Sequence, residues 1–404
     1  MGKFTGSVFI AVGSTIGARI LTLPFCSMNT GFMPAIAVLF FVWATMTLSA
    51  LLILRLSLAM DEASCTFSGM AKELMGPLGR AVTWITSLLL MYSLIGAYTA
   101  GNTVVLGDLL ASVHIRLPGP VIAVIFMAAF GWVVSCGARV TDYVNRPIMI
   151  IKGGAMVCAI ALLLSHMKSD YLQGKSLTDI PWGEGGIMAM VPNFLCAFGF
   201  HNVIPSLRVY NSDKPERLKW IILASTTASL VIYIGWICVT MGTVSGQNLA
   251  RIGGGPDSTW RFISVLVDLA NSRAISFFMM GFINTTMAVA FLGTALSLFD
   301  FLTDGLKGLT WQSSRQRKIL VALLTFLPPL AFTIFCPKGF LLALGYAAIF
   351  TAILFLIVPA IMSYRLHKKL PPGHTRHAFR KSAFLFALAC VGGAVILMQL
   401  LYGG

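Results

Sequence analysis

The chain has 404 residues, of which 57% are hydrophobic and only 11% charged, against the roughly 25% charged residues of an ordinary soluble domain. A soluble globule of this length has no interior large enough for so much apolar side chain, so composition points to a membrane. The net charge of +15 raises nucleic acid as a partner, but the lysines and arginines form no single patch; they alternate from loop to loop, which argues against it.

Runs of about 17 to 25 apolar residues, the length that crosses a hydrocarbon core of roughly 30 Å, lie near 5–28, 34–58, 82–111, 120–138, 147–166, 188–207, 219–242, 274–302, 319–336, 339–364 and 380–402. They predict an all-α integral membrane protein with eleven transmembrane helices, because a barrel would show shorter, alternating segments. Lys3 ahead of the first run also suits a cleaved signal peptide. Arg19, Pro24 and several glycines interrupt that run, however, and further spans follow, so it reads as a retained helix.

With the N-terminus in the cytoplasm, the outer segments hold Arg116, Lys168, Lys175, Arg251, Arg261, Arg273 and Lys338. The remaining basic residues, Arg19 excepted, fall to the inner side, from Lys3 to the stretch Arg365, Lys368, Lys369, Arg376, Arg380 and Lys381. The positive-inside rule therefore predicts a cytoplasmic N-terminus and, after eleven spans, a periplasmic C-terminus.

Three loops are longer than the rest. The outer segment 167–187 is polar, the outer insertion 243–273 contains "GGGPDSTW" and predicts a short helix from Ser258 to Asn271, and the inner segment 365–379 is basic. None is long enough for a soluble catalytic domain. The organisation expected is a first five-helix repeat over 1–166, the outer loop, a second repeat over 188–364, and a basic inner loop with an eleventh helix over 365–404. The eight cysteines are scattered without C-x-x-C or Cys/His spacing, so they read as small packing residues and no metal site is expected.

The first run contains "GSTIGARILTLP", with Gly13, Gly17 and Pro24, and the sixth contains "NFLCAFGFHNVIPSL", with Gly199, His201, Asn202 and Pro205. Glycine lowers helix propensity by roughly 1 kcal/mol, and in lipid a freed backbone group persists only where it is otherwise satisfied or lines a cavity. Two broken helices in corresponding places of oppositely oriented halves point to an inverted-repeat transporter with its site at the midplane, where half-helix ends suit a zwitterion. The alternative is close helix packing, since Gly13 and Gly17 have small-x-x-x-small spacing.

No G-x-S-x-G, H-E-x-x-H or Walker-type motif is present, so no catalytic residue is assigned and the chain is not read as an enzyme. A channel is also a poor reading, since the sequence offers no ring of charges or filter repeat. Ionisable residues within spans are functional candidates by default. Lys152, in "NRPIMIIKGG", either snorkels to the cytoplasm or places an ammonium in the cavity beside the first helix, as a fixed substitute for sodium or a proton carrier. His201 is either a hydrogen-bonded packing residue or a substrate contact. Arg19 meets a substrate carboxylate, forms an outer gate with Asp108 or another acid, or snorkels outward. Phe198 and Phe200, with Tyr92 and Tyr98 of "MYSLIGAYTAGN", are placed to cover an aromatic side chain.

Taken in order, "GSVFIAVGSTIGA", "LMYSLIGAY", "FGFHNVIPS", "SLFDFLTD", "TFLPPLAF" and "PKGFLLALGYA" resemble the hydroxy and aromatic amino acid permeases of the amino acid, polyamine and organocation superfamily, and among them most closely the bacterial tyrosine-specific permeases. The resemblance implies an inner-membrane permease of LeuT-like fold that imports tyrosine or a related amino acid by proton symport, with no cofactor and the proton gradient as energy source. It implies substrate contacts at Thr15, Gly17 and Ala18 of the first span and at Phe198, Gly199, Phe200 and His201 of the sixth. It puts Lys152 where sodium would sit in sodium-coupled relatives. Arg19 and the pair Asn202 and Val203 stand where the family usually has small residues, which makes tryptophan a rival to tyrosine. A serine or threonine carrier of the same family, or a uniporter or exchanger, is the alternative. Partners are then the amino acid, protons and lipid, while the oligomeric state is not legible.

Overall fold

The protein was analysed as a computed structural model that describes residues 3–61, 66–112, 114–172, 181–183, 185–211, 214–244, 258–269, 273–306, 314–336, 339–369 and 382–403. The basic stretch 370–381, the stretch 173–180 and the "GGGPD" part of the expected insertion 243–273 lie outside the described residues. All the helices named below are described ones. They are α1 (Lys3–Thr15), α2 (Thr22–Ser27), α3 (Phe32–Leu58), α4 (Phe67–Ser112), α5 (Gly119–Ser135), α6 (Ala138–Leu164), α7 (Ile187–Ala197) and α8 (Ile204–Tyr210). There follow α9 (Pro215–Thr243), α10 (Ser258–Leu269), α11 (Arg273–Gly305), α12 (Ser314–Phe335), α13 (Phe340–Ala352), α14 (Val358–Lys369) and α15 (Ser382–Tyr402).

Among the described residues nine helical segments are long and apolar enough to cross a membrane, and α1 with the segment Ala18–Ser27, bent by 56°, makes a tenth. The stretch expected as the fourth span is helical but has only 17 residues, Gly119–Ser135, short of a full crossing by length alone. The third expected span begins earlier than its apolar run. Its helix starts at Phe67, because the stretch "FSGMAKELM" is amphipathic rather than apolar, and it is broken at Gly76, whose φ of 77° only glycine adopts easily. Pro77 then occupies the start of the continuing helix, where its missing N–H costs nothing. The expected short helix is present as α10 over Ser258–Leu269, and the rest of its expected range, to Asn271, lies outside the described residues.

The chain divides into two compact units, and each draws on both sequence halves. The first comprises residues 1–89, 174–237 and 348–404, the second residues 90–173 and 238–347. In the first unit α3 packs against α7 and α8, and α15 packs against α7. In the same unit the Asn211 amide donates to Ser7 Oγ at 2.9 Å, joining the chain after α8 to α1. Arg208 donates to the carbonyls of Ser57 and Met60, capping the negative end of α3 with a buried cation.

In the second unit α6 packs along α11, and α5 along α12. Phe126 and Phe130 of α5 meet Phe291 of α11 edge to face, and Phe291 stacks on Phe326 of α12 at 6.4 Å. The prolines of "TFLPPLAF" explain a further link. Pro328 has no N–H to give the Leu324 carbonyl one turn earlier, and the Tyr92 hydroxyl of α4 donates to that carbonyl at 2.6 Å instead. Tyr92, expected to cover an aromatic substrate, is thus engaged as a helix-to-helix tie.

The same device recurs in the first unit. Pro359 cannot donate to the Phe355 carbonyl, the chain widens into a π-helical turn over Ile353–Ile357, and the Ser49 hydroxyl of α3 donates to that carbonyl.

Candidate functional site

The first span breaks where glycine was expected to break it, though only at one of the two glycines. α1 stops at Thr15, Gly17 is extended, and a 3-10 turn over Ala18–Leu21 leads into α2. Gly13 and Pro24 are helical. In the sixth span regular helix lapses after Ala197, through Phe198, Gly199 and Phe200, and resumes by a 3-10 turn over His201–Val203. Pro205 does not cause this break; it sits in the first turn of α8, where proline fits.

A span that breaks leaves carbonyl groups without their helical donors, and in lipid each such group carries a penalty unless a protein group meets it. One side chain answers both breaks. The Tyr233 hydroxyl of α9 lies 2.8 Å from the Thr15 carbonyl oxygen and 2.7 Å from the Ala197 carbonyl oxygen. The Tyr233 ring is fully buried and packs edge to face on Phe198, with centroids 5.2 Å apart. A phenol has one proton to donate, so two carbonyls share it, and the Thr15 carbonyl also accepts from the Gly17 N–H at 2.9 Å. Both carbonyls end half-helices, whose C-terminal poles are negative. Acceptor capacity and negative dipole therefore converge on one buried point, a setting for an ammonium group.

Sequence reasoning missed Tyr233. The only available signal was a tyrosine inside the otherwise apolar "SLVIYIGWIC", since a buried phenol usually finds a hydrogen-bond partner.

The other side of the first break carries Arg19. It lies in the 3-10 turn and is only 4% exposed, so the reading in which it snorkels outward to water is not observed. Its carbonyl accepts from the Thr22 hydroxyl at 2.9 Å, tightening the turn.

Thr15, Ala18, Phe198, Phe200 and His201 are all buried around the breaks. Thr15 spends its hydroxyl on the Ala11 carbonyl at 2.7 Å. Space around Gly199 is tight: a Cβ there would meet the Cys196 carbonyl oxygen at 3.0 Å, closer than most side-chain contacts, and the Phe355 ring at 3.7 Å. Asn202, expected at the pocket, is exposed.

His201 is fully buried, with Nε2 3.1 Å from the Met46 carbonyl oxygen of α3 and its ring stacked on Phe355, centroids 4.5 Å apart and planes 11° from parallel. Phe355 is the residue whose carbonyl Pro359 frees, so the π-helical turn sets the face against which the histidine lies.

Two expected residues belong to the second unit. Tyr98 is 6% exposed in α4, and the Asn102 amide donates to its carbonyl at 3.0 Å. Lys152 of α6 is 6% exposed, so it does not snorkel to the cytoplasm. Near it Ala155 stands 3.9 Å from where a Cβ on Gly281 of α11 would be, a close helix approach that a small residue permits.

Apolar helices of spanning length, a first span bent at mid-course and a site built on helix ends define a multi-pass membrane carrier. The fold agrees with that of solved carriers. Over 99% of this chain and 89% of the other, the TM-score is 0.60 at 10% identity to the substrate-bound, outward-open state of a Na+-coupled sialic acid symporter. It is 0.59 at 14% identity to MhsT in complex with L-phenylalanine, covering 99% and 98% of the two chains. The LeuT-like fold implied by the motifs is thereby present.

The chain belongs to the tryptophan/tyrosine permease family, which it matches over residues 1–399. It is 30% identical over 374 residues to tyrosine-specific transport system 1 of Haemophilus influenzae, covering 92% of this chain and 91% of that protein. It is 29% identical over 369 residues to the tryptophan-specific transport protein of Pseudomonas aeruginosa, covering 90% and 86%. These relatives are transport proteins, not enzymes.

Proposed function

We propose that the protein is a secondary active transporter that imports aromatic amino acids, tyrosine or tryptophan, across a bacterial inner membrane by proton symport and alternating access. The observation that carries the reading is the meeting of two half-helix carbonyl ends at a single phenolic proton, which supplies a cradle for the α-ammonium of a zwitterion. The family's substrate range and the buried aromatic rings of Phe198 and Phe200 support an aromatic side chain. Thr15, Gly17, Ala18, Arg19, Gly199 and His201 complete the substrate set in this proposal.

Coupling is assigned to Lys152, on its burial within a membrane helix and on the resemblance described above. In the proposed topology Gly119–Ser135 is a further, short span, which gives eleven spans in two inverted five-helix repeats plus one. The N-terminus is then cytoplasmic and the C-terminus periplasmic, a reading that the distribution of basic residues supports.

The test is uptake of labelled tyrosine and tryptophan into proteoliposomes holding the purified protein, under an inward proton gradient, an inward sodium gradient, or neither. Accumulation above equilibrium under the proton gradient alone is the expected result. Accumulation driven by sodium would replace the coupling ion, and equilibration without accumulation would leave a uniporter or exchanger. Absence of uptake would send the assignment to serine and threonine.

A further inference from the structure

His201 is held in one protonation pattern by its surroundings. The Met46 carbonyl oxygen can only accept, so Nε2, 3.1 Å away, carries the ring proton and donates it. In the neutral ring Nδ1 is then an acceptor, and among the described residues it has no hydrogen-bond partner although it is fully buried. The ring is fixed against rotation by Phe355 on one face and by contact with Phe200, centroids 5.2 Å apart. A fixed, buried acceptor at the break of the sixth span costs stability unless a donor meets it.

We propose that this acceptor selects the ring of the substrate. Nδ1 of His201 receives the N–H of an indole or the O–H of a phenol, and an aromatic amino acid whose ring has no donor leaves it unmet. The inference rests on the reading of the chain as an aromatic amino acid carrier. It names the feature shared by tryptophan and tyrosine and absent from phenylalanine. A site that must hydrogen-bond its ligand rejects the analogue lacking the donor far more strongly than an apolar pocket rejects a missing methylene.

The experiment measures how well unlabelled analogues compete with labelled tryptophan and tyrosine for uptake by the intact carrier in proteoliposomes. Phenylalanine replaces tyrosine without its hydroxyl, and benzothienylalanine replaces the indole N–H of tryptophan by sulfur at nearly the same shape. In the wild type each analogue is expected to compete about ten- to a hundredfold more weakly than its parent, the cost of one unmet buried acceptor. His201→Phe keeps the stacking on Phe355 and removes both nitrogens, so the parents should lose affinity and the discrimination should collapse. His201→Gln, which retains a donor and an acceptor, should restore part of it. Wild-type competition by both analogues within twofold of their parents would overturn the proposal, and needs no variant to fold. Discrimination intact in His201→Phe would overturn it too. Failure of the wild type to take up any of the aromatic amino acids would remove the carrier reading itself, a result distinct from uptake without discrimination.

Discussion

Replacing Tyr233 by phenylalanine deletes one oxygen and leaves the ring in place. The edge-to-face contact with Phe198 at 5.2 Å survives, so no large cavity opens and the change isolates the hydroxyl. What is lost is the proton shared by the Thr15 and Ala197 carbonyls, 2.8 and 2.7 Å away. Stranding a buried acceptor costs about 1–3 kcal/mol. The Thr15 carbonyl keeps the Gly17 N–H at 2.9 Å, so the loss falls mainly on the Ala197 carbonyl and lies in that range rather than twice it. At 1.4 kcal/mol per factor of ten this is about a 5- to 150-fold effect on whichever equilibrium the bond supports. If the hydroxyl positions the two breaks for the ammonium, the dissociation constant for tryptophan rises by that factor in equilibrium binding to purified Tyr233→Phe, while transport at saturating substrate falls less. A lower melting temperature with unchanged affinity would refute the positioning role and leave Tyr233 as a purely structural tie. Unchanged affinity together with unchanged stability would remove the hydrogen bond from the account.

Other substitutions separate the remaining parts of the site. Lys152→Ala should abolish accumulation driven by a pH gradient while passive equilibration of tyrosine continues; accumulation at the wild-type level would remove Lys152 from coupling. Arg19→Gly should weaken substrate binding or change the rate of transport, and uptake with both affinity and maximal rate unchanged would show that its charge serves neither the carboxylate nor a gate. Gly199→Ala puts a methyl group 3.0 Å from the Cys196 carbonyl oxygen. Overpacking of this kind costs about 1–3 kcal/mol, so affinity should fall about tenfold, and normal uptake kinetics would show that the break yields without consequence.

Much of this architecture was legible in the residues. Apolar runs located the spans, because length and composition alone decide whether a helix can cross lipid. Gly17 and Gly199 marked the breaks, and Arg19, Lys152 and His201 were conspicuous as ionisable groups in apolar surroundings. The start of α4 was not legible from hydropathy, since "FSGMAKELM" is amphipathic and forms helix outside the apolar run. The composition of the compact units was hidden for a different reason. Each gathers segments far apart in sequence, and a repeat read along the chain does not say which helices pack together. Tyr92 and Tyr233 show the same gap at the scale of one residue. Each is a phenol within an apolar span, yet one meets a carbonyl in α12 and the other the two breaks.

What joins these cases is an account of carbonyl groups. Pro328 and Pro359 each free one carbonyl a turn earlier, and in each case one hydroxyl from another helix meets it, Tyr92 on Leu324 and Ser49 on Phe355. Donor and acceptor balance there, and such places need nothing further from a ligand. At the breaks the balance differs. The Tyr233 proton serves two carbonyls, one of which, that of Thr15, also accepts from the Gly17 N–H at 2.9 Å, and Nδ1 of His201 is an acceptor without a partner among the described residues. A buried acceptor without a donor costs stability unless a donor meets it during part of the working cycle. An amino acid with an ammonium at one end and an indole N–H or a phenol O–H at the other supplies both kinds of donor. On the proposed reading, the unmet Nδ1 of His201 favours a substrate whose ring carries a donor over one whose ring has none.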